Sequence, residues 1–365
     1  MHLSISGVKI AGVCACVPSH ISYYADELKN FPFPEKSSIK LAKVMGFQEH
    51  RISDSKTTLT DMAGYALDYL FKNNFVKKEE LDAIIFVAQQ ADHPVPGNSK
   101  IVHGNLKLAK STHCVDMYEN CTGFISACFQ ASALLNAGLK KVAVLTGEGG
   151  ACTANKKDRN TYPLAGDASS VTILTKGEST DKIDFAFRHD GTRRKVLITE
   201  AGGMRMPHTA ETAKLVKDEM GNYRSLENLY MDGTAVAVFH FVMDEVPEII
   251  DEACSISGID RSQIDYFLTH QPNKFMLERL ADLMEVPREK LFNNIGLYFG
   301  NSSCSTIPLD IAFNLGDKLL TDKYKVCLAA FGAGLSLASA VTDLGNLEFC
   351  KLLEHPGNGV FEYNP

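Results

Sequence analysis

Strand-like segments recur along this chain at a separation of about half its length, and this internal repeat restricts the possible folds more than any other feature. Asp82 in LDAIIFVAQQ matches Asp265 in IDYFLTHQ, 183 residues later. Val142 in KKVAVLTGEGG matches Val326 in YKVCLAAFGAG, 184 residues later. Two independent pairs at nearly the same separation predict a duplicated unit, and the repeat is too long for one unit of a solenoid.

The apolar segments alternate with helical stretches, which predicts an α/β fold. A third pair, SSVTILT and ASAVTDL, is closer together because the first half carries the extra stretch ACTANKKDRNTYPLAG. We therefore predict two α/β halves, residues 1–176 and 177–365, joined at the polar turn KGESTDK. An approximate two-fold axis is expected to relate them.

Composition excludes several classes of function. The net charge is −7, so the chain lacks the basic surplus of a nucleic-acid-binding protein. The first residues do not resemble a signal peptide, and no window approaches the roughly 20 apolar residues that span a bilayer. The 10 cysteines are scattered without CxxC pairs, which favours a reduced cytoplasmic protein over a disulfide framework or a zinc site.

Cys121 is the main candidate nucleophile. It opens a predicted helix at about 121–137, and a helix N-terminus stabilises a thiolate, the form of cysteine that attacks a thioester carbonyl. The competing interpretation is a buried structural cysteine, which is the ordinary state of an isolated cysteine. The position at a helix start, followed by Thr-Gly, favours the nucleophile.

His270 and Asn301 are predicted to lie near Cys121. His270 follows the strand IDYFLT, and open α/β sheets collect ligands at the carboxyl ends of their strands. Asn301 precedes a second predicted helix at 303–319, in which Cys304 stands 183 residues after Cys121. Taken singly, a hydrogen-bonded core histidine and a turn or N-cap asparagine are the more common explanations. Because a two-fold axis brings both helix starts to the centre, the repeat favours one shared crevice.

Four motifs in this order and spacing, ENCTGF, THQPN, FGNSS and AFGAGLSLASA, resemble those of the Cys-His-Asn condensing enzymes of the thiolase superfamily, above all β-ketoacyl-ACP synthase III. The resemblance extends from about residue 7 to residue 344. It implies a thiolase-like fold with layers in the order αβαβα and pseudo-two-fold symmetry. The specificity of the match lies in the ordered set rather than in any single motif.

The resemblance implies a role for each site residue. Cys121 would accept an acyl group from a CoA or acyl-carrier-protein (ACP) thioester, and a malonyl thioester would then decarboxylate and attack it. His270 and Asn301 would stabilise the enolate oxygen by hydrogen bonds. The backbone N–H groups of Cys121 and Ala333 would form the oxyanion hole, although family members usually have Gly in place of Ala333. No permanently bound cofactor and no metal is expected.

Arg159, Asn273 and Val95 are implied as substrate-binding residues. Arg159 matches a family arginine at the CoA head group, but the chain has no Trp, which relatives often use to stack the adenine near the position of Lys40. Lys40, Arg159 and Lys274 could instead form a basic rim for an acidic carrier protein. For Lys40, a solvated surface charge is the simpler explanation. Primer delivery from ACP rather than CoA is therefore a plausible alternative.

The resemblance also implies a homodimer, for which we expect pairing through the strand VAVLTG from Val142. In the family, the loop that matches Gln89–Ser99 helps to close the partner's acyl pocket. Short-chain synthases often carry a Phe where this chain has Val95, so primers longer than acetyl are expected.

Other functions stay open at this point. The nearest is a ketosynthase-like acyltransferase that passes the acyl group to an amine or alcohol without decarboxylation. A non-catalytic partner subunit is less consistent with the presence of Cys121, and a Cys-His-Asn protease needs no duplicated halves. An HMG-CoA synthase would need a glutamate base near the nucleophile. Glu119, close to Cys121 in sequence, and Glu148, near a strand end, are candidates but match no such pattern, and Glu148 is expected in the loop after KVAVLTG.

Overall fold

The computed structural model describes residues 2–359 of the chain. The strands are β1 (His2–Ser6), β2 (Val8–Pro18), β3 (Ile21–Tyr23), β4 (Glu49–Arg51), β5 (Ala83–Ala88), β6 (His113–Tyr118), β7 (Lys141–Glu148), β8 (Ala168–Lys176), β9 (Lys182–His189), β10 (Leu197–Ile198), β11 (Val216–Lys217), β12 (Tyr223–Arg224), β13 (Tyr230–Met231), β14 (Tyr266–Thr269), β15 (Lys323–Gly332), β16 (Ser336–Gly345) and β17 (Phe349–His355). The α-helices are α1 (Tyr24–Glu27), α2 (Glu35–Met45), α3 (Leu59–Lys72), α4 (Asn98–Asn105), α5 (Gly123–Asn136), α6 (Gly150–Thr153), α7 (Asp232–Ser257), α8 (Lys274–Leu283), α9 (Ile295–Tyr298) and α10 (Thr306–Asp310).

Two large mixed sheets carry the predicted repeat. The first has the strand order β17-β2-β8-β7-β5-β6, and the second has the order β1-β9-β16-β15-β14. The run β2-β8-β7-β5 matches the run β9-β16-β15-β14, because β5 pairs in parallel with β7 as β14 does with β15, while the other neighbours are antiparallel. The prediction of duplicated α/β halves is therefore confirmed at the level of strand order.

The residues that revealed the repeat also make equivalent contacts. The Asp82 carboxylate accepts a hydrogen bond from the backbone N–H of Lys141 at 3.1 Å, just before β5 and at the start of β7. The Asp265 carboxylate accepts one from the N–H of Lys325 at 2.7 Å, in the same place relative to β14 and β15. Each sheet also takes one edge strand from the other end of the chain, since β1 joins the second sheet and β17 joins the first.

A central helical layer lies between the two sheets. Phe124 and Leu135 of α5 and Ile307 of α10 belong to one buried cluster with Val144 of the first sheet and Leu328 of the second. Burying each of these side chains stabilises the fold by roughly 1.5–3 kcal/mol. The predicted helix at 303–319 is a chain of short helical pieces: a 3₁₀ turn at Ser303–Ser305, then α10, then a π-helical turn at Ile311–Leu315 and a 3₁₀ segment at Gly316–Leu320.

The segment 190–231 lies between β9 and the long helix α7. It contains two small antiparallel pairs, β10 with β13 and β11 with β12. Within residues 2–359, no helix is both long enough and apolar enough to cross a membrane.

The strand expected to pair with a second subunit is interior. β7, which contains Val142, is hydrogen-bonded to β5 on one side and to β8 on the other, so its backbone groups are already used. The prediction that a dimer forms through this strand is wrong. The edge of the first sheet on that side is β6, which pairs only with β5 in the described part of the chain.

Candidate active site

Cys121 lies in the turn between β6 and α5, two residues before the helix begins. Gly123, the first residue of α5, packs so closely on β5 that a Cβ there would lie 2.6 Å from Val87 Cγ2, which explains the Thr-Gly sequence after the cysteine. Burial raises the pKa of the Cys121 thiol, while the Ser303 hydroxyl and the backbone N–H groups of Cys121 and Ala333 act in the opposite direction. The thiol is therefore the resting form of Cys121, and these donors lower the cost of forming the thiolate.

His270 follows the last residue of β14 and is only 3% exposed. Its backbone N–H donates to the Ala329 carbonyl at 2.8 Å, and its ring packs edge-on against Phe331 with the centroids 5.4 Å apart. Burial lowers the pKa of His270 to about 4, although a backbone contact with Ser303 and the nearby Glu148 oppose this shift. The imidazole is therefore neutral at pH 7 and offers one N–H donor.

Asn301 is fixed through both its backbone and its side chain. Its N–H donates to the Leu164 carbonyl at 2.7 Å, and its carbonyl accepts from the N–H of Gly166 at 3.1 Å. A Cβ on Gly166 would lie 1.9 Å from the Phe299 carbonyl oxygen, so only glycine allows this close approach. Asn301 Oδ1 accepts from the N–H of Ser303 at 2.9 Å. Because the oxygen is engaged there, the amide nitrogen remains as a donor.

The turn after β15 brings the Ala333 N–H to the cysteine. A Cβ on Gly332 would lie 2.6 Å from Cys121 Sγ, so glycine is required at this position for the two segments to approach. Ala333 is not among the described non-glycine residues that have a positive φ. Alanine is therefore compatible with the backbone conformation at this position, and the N–H expected for the oxyanion hole is present.

A buried carboxyl lies on the other side of Ser303. Glu148 is the last residue of β7 and is 2% exposed, so the expectation that it lies in a polar loop is wrong. Gln89 Nε2 donates to both carboxyl oxygens of Glu148, at 2.9 and 2.8 Å. Ser303 contacts the carboxyl as well, and its Oγ lies 3.7 Å from Cys121 Sγ. Burial is the largest cause that raises the pKa of Glu148, to about 8.

Sequence reasoning missed the role of Ser303. Its signal was available in the motif FGNSS, where two polar residues follow Asn301 directly. What no pattern could supply is its backbone conformation, a positive φ of 47° in a non-glycine residue, which is uncommon and tends to mark functional sites. Gln89 was seen only as the start of a loop, whereas its side chain holds Glu148.

A cavity of about 490 Å³ reaches the three predicted catalytic residues. Its walls come from α2, from the segment 190–231, from the first turns of α7 and from α8. Apolar side chains dominate the lining: Leu41, Met45, Phe47, Leu164, Leu197, Met220, Leu229, Met231, Val236, Val238, Phe239, Phe241, Val242, Phe275, Met276, Phe331 and Leu335. Cys121, His270 and Asn301 line the same cavity, so His270 and Asn301 meet a cysteine that lies 149 and 180 positions before them in the sequence.

The other predicted substrate-binding residues divide into two groups. Arg159 and Asn273 line the cavity. Asn273 also caps α8, since its Oδ1 accepts from the N–H of Met276 at 2.9 Å. Val95 is 82% exposed and is not part of the cavity lining in its own chain.

Arg159 is already engaged by other side chains. Its guanidinium carbon lies 3.5 Å from the centroid of the Phe33 ring, and its Nη1 donates to Ser37 Oγ at 3.0 Å. One face of the guanidinium is therefore covered by an aromatic ring from the same chain.

Among the described residues, no cluster of three or more His, Cys, Asp or Glu side chains is placed to hold a metal ion.

Two family models match the chain. The model for 3-oxoacyl-(acyl-carrier-protein) synthase III matches residues 115–191, and the model for the C-terminal part of the same enzyme matches residues 254–344. The first match contains Cys121, and the second contains His270 and Asn301.

Whole-chain similarities agree with these matches. A Campylobacter jejuni protein described as a 3-oxoacyl-(acyl-carrier-protein) synthase 3 is 30% identical over 343 residues, which is 93% of this chain and 94% of the relative. A β-ketoacyl-(acyl-carrier-protein) synthase III of Caldanaerobacter subterraneus is 31% identical over 300 residues, covering 81% and 86% of the two chains. The crystal structure of a 3-oxoacyl-(acyl-carrier-protein) synthase from Burkholderia xenovorans superposes with a TM-score of 0.89 at 30% identity, covering 97% of this chain and 99% of that one.

Proposed function

The chain belongs to the 3-oxoacyl-(acyl-carrier-protein) synthase III family of condensing enzymes, and from this premise we propose that it joins an acyl group to a malonyl thioester with Cys121 as the carrier of the acyl group. The observation that supports this most is that Cys121, His270 and Asn301 line a single apolar cavity. The cavity volume of about 490 Å³ is in the range of small-molecule sites, and its apolar walls suit an acyl chain and a thioester arm.

In the first step, the Cys121 thiolate attacks the carbonyl carbon of an acyl thioester, the carbonyl-to-sulfur bond of the donor breaks, and the donor leaves as a thiolate. The tetrahedral oxyanion that forms accepts hydrogen bonds from the N–H groups of Cys121 and Ala333, which already approach the sulfur. The result is an acyl group bonded to Cys121.

In the second step, a malonyl thioester loses carbon dioxide and becomes an enolate. His270 offers a neutral imidazole N–H, and Asn301 offers its amide N–H₂ because its oxygen is held by Ser303. Both donors stabilise the enolate oxygen without adding a positive charge to the cavity. The enolate carbon then attacks the acyl carbonyl, and Cys121 leaves as a thiolate.

A malonyl thioester labelled in its free carboxyl group separates this function from simple acyl transfer. We expect labelled carbon dioxide to be released together with a β-ketoacyl thioester. If the acyl group instead passed to an amine or an alcohol with no release of label, the chain would be an acyltransferase of the same fold.

We propose an acyl carrier protein as a partner and as the primer donor. Arg159 is stacked on Phe33, so one face of its guanidinium is not available to stack an adenine. Lys40 and Lys274 lie on α2 and α8, two of the elements that form the cavity walls, and their positive charge suits the surface of an acidic carrier protein. A CoA thioester would reach Cys121 through its pantetheine arm alone.

We further propose that the chain divides near residue 176 into the two halves that the repeat defines, with β1 and β17 exchanged between them.

A reducing, cytoplasmic location fits the cysteines, because those for which the structure describes a side chain are all free thiols.

The protein is expected to form a homodimer, with β6 replacing the strand predicted from sequence. β6 is the edge of the first sheet, and Tyr118 at its end is 90% exposed. An unpaired edge strand with an exposed aromatic residue is a typical pairing surface. Light scattering at micromolar concentration should give twice the 40.0 kDa of one chain.

A charged side chain introduced on the edge strand β6 tests the proposed dimer interface directly. Tyr118→Glu should raise the fraction of monomer, whereas Tyr23→Glu, at another exposed tyrosine on the short strand β3, should not. A wild-type monomer, or equal effects of the two variants, would contradict the proposed interface.

Val95 is expected to set primer length from the partner subunit, because its 82% exposure in its own chain leaves it free to reach across a dimer. An isopropyl group leaves more room than an aromatic ring, and apolar burial contributes about 0.8 kcal/mol per methylene. Wild type should therefore be acylated faster by primers longer than acetyl, and Val95→Phe should shift the preference toward short chains. Val95→Ala, which adds no bulk, should keep the long-chain preference. A preference of wild type for acetyl, or an unchanged profile in Val95→Phe, would show that Val95 does not line the acyl pocket.

A further inference from the structure

Among the described residues, Glu148 is a buried carboxyl close to Cys121. Neither acylation nor condensation, as proposed, uses it. Gln89 Nε2 donates to both of its oxygens, and the Ser303 hydroxyl lies between the carboxyl and Cys121 Sγ. Burying a carboxyl costs several kcal/mol unless it is neutral or well paired. The buried Glu148 carboxyl, at the end of β7 and beside the reacting sulfur, therefore points to a role in the chemistry of Cys121 rather than in the stability of the fold.

The hydrogen bonds from Gln89 and Ser303 favour the ionised form of Glu148, whereas its acidic neighbours disfavour it. Asp167 and Cys121 both raise the pKa of Glu148 by their proximity. Asp167 is held by the backbone N–H groups of Ser53 and Ala151, at 2.8 and 3.0 Å. Cys304, packed on the Gly147 carbonyl at 3.7 Å, is a neutral thiol because burial raises its pKa. The neutral imidazole of His270 is the remaining titratable neighbour.

From this geometry we propose that Glu148, acting through the Ser303 hydroxyl, holds the proton that Cys121 gives up when it becomes a thiolate. The inference rests on the proposed role of Cys121 as the acylated residue. Glu148 and Ser303 form the proton path and are positioning residues, because they act on the substrate only through Cys121. Cys121 is the group that touches the substrate.

The transfer balances without any further reactant. The S–H bond of Cys121 breaks and its proton moves to Ser303 Oγ, while the Ser303 hydroxyl proton moves to a Glu148 carboxylate oxygen. The products are a Cys121 thiolate, a Ser303 hydroxyl that now donates to the sulfur, and a neutral Glu148 acid. The transfer starts from the ionised carboxyl, which is the minor form at pH 7 because the pKa of Glu148 is about 8. From that state one negative charge moves from the carboxyl to the sulfur, so the buried site gains no net charge. The reverse transfer quenches the thiolate when it leaves the acyl carbon.

His270 is poorly suited to hold this proton. Its pKa of about 4 means that the imidazolium is strongly disfavoured at neutral pH. The pKa of Glu148, about 8, is much closer than that of His270 to the pKa of a cysteine thiol, which is ordinarily about 8.5 and is raised at Cys121 by burial. The proton can therefore pass from Cys121 to Glu148 and readily returns. Because Glu148 and Cys121 are coupled through Ser303, the first proton lost belongs to the pair rather than to either residue alone.

The test is the pH dependence of Cys121 reactivity in the intact protein, followed by iodoacetamide alkylation and by acylation from an acyl thioester. Peptide mass spectrometry confirms that Cys121 is the residue modified. In wild type, both rates should rise through an inflection near pH 8. In Glu148→Gln, which keeps the size of the side chain, Cys121 must lose its proton to solvent. The inflection should then move up by about one unit, because Cys121 titrates without the coupled carboxyl. The rate at pH 7 should stay close to wild type, because residue 148 is mostly neutral there in both proteins.

Ser303→Ala should reproduce this shift, because it removes the hydroxyl that links the two groups but keeps the backbone N–H bonded to Asn301. It also carries the test if Glu148→Gln fails to fold. Asp310→Asn is the matched control: Asp310 is another fully buried acid whose pKa is raised, to about 7, but its partners are Asn314 and Gln271. Its alkylation profile should remain that of wild type.

Three outcomes would overturn the proton path. A Glu148→Gln profile equal to wild type, or faster at pH 7, would show that the carboxylate acts on Cys121 only as a repelling charge. A wild-type profile in Ser303→Ala would remove the link, and an equal shift in Asp310→Asn would make the effect a general one of buried acids. Alkylation needs no thioester, so a shift seen there without acylation of wild type would leave the path intact and refute the proposed function instead.

Discussion

Cys121→Ala is expected to abolish covalent acylation. When wild type is incubated with an acyl thioester, the intact mass should rise by one acyl group, and the variant should keep its unmodified mass. The reason is chemical: the alanine has no nucleophile, whereas Cys121 lies two residues before α5 among N–H donors that favour a thiolate. Condensation should fall by several orders of magnitude, as in enzymes that lose the nucleophile of a catalytic group.

Cys304 provides the matched control, because it stands at the equivalent place in the second half. Its sulfur packs on the carbonyls of Val87 and Gly147, at 3.6 and 3.7 Å, and burial raises the pKa of its thiol. Cys304→Ala should therefore leave acylation intact. An acyl adduct that persisted on the Cys121→Ala protein would refute the assignment of the nucleophile.

The second large effect is expected at His270 and Asn301, and it should fall on decarboxylation more than on acylation. Each residue donates one hydrogen bond to the developing enolate, and the loss of one such donor costs on the order of 100-fold in rate. His270→Ala and Asn301→Ala should therefore release carbon dioxide from a malonyl thioester on the order of 100-fold more slowly, with a much smaller change in the rate of acyl transfer to Cys121.

Asn301→Asp separates donation from structural support. The aspartate keeps an oxygen that can accept the N–H of Ser303, but it loses the amide N–H₂. If donation is the role of Asn301, the Asp variant should lose as much decarboxylation as the Ala variant. If the Asp variant retained the wild-type rate, the residue would serve only to hold Ser303. Equal losses in acylation and decarboxylation would contradict the division of roles between the two steps.

The repeat made much of the fold accessible from sequence. Asp82 and Asp265 mark the same place in two sheets because each carboxylate holds the start of a neighbouring strand. The convergence of Cys121, His270 and Asn301 was predicted from the same repeat, since an approximate two-fold axis is expected to bring strand ends and helix starts of equivalent halves together. The structure places all three residues in one cavity, and their catalytic roles stay predictions.

Two features could not be predicted, for different physical reasons. β7 reads as apolar throughout, which fits any strand buried inside a sheet but does not reveal its neighbours, and the pairing with β8 makes it interior. Glu148 looked like a loop residue because a carboxyl at the end of an apolar strand is ordinarily solvated. Its burial depends on Gln89, 59 residues away in the sequence, and that contact is tertiary.

The most direct test of the account is a single-turnover experiment with protein that carries a labelled acyl group on Cys121. Addition of a malonyl thioester of acyl carrier protein should move the label from the protein into a β-ketoacyl thioester, with one carbon dioxide released for each acyl group transferred. If the label stayed on the protein, or left only as the free acid or as a simple acyl ester or amide, the proposal that this chain condenses acyl and malonyl thioesters through Cys121 would be contradicted.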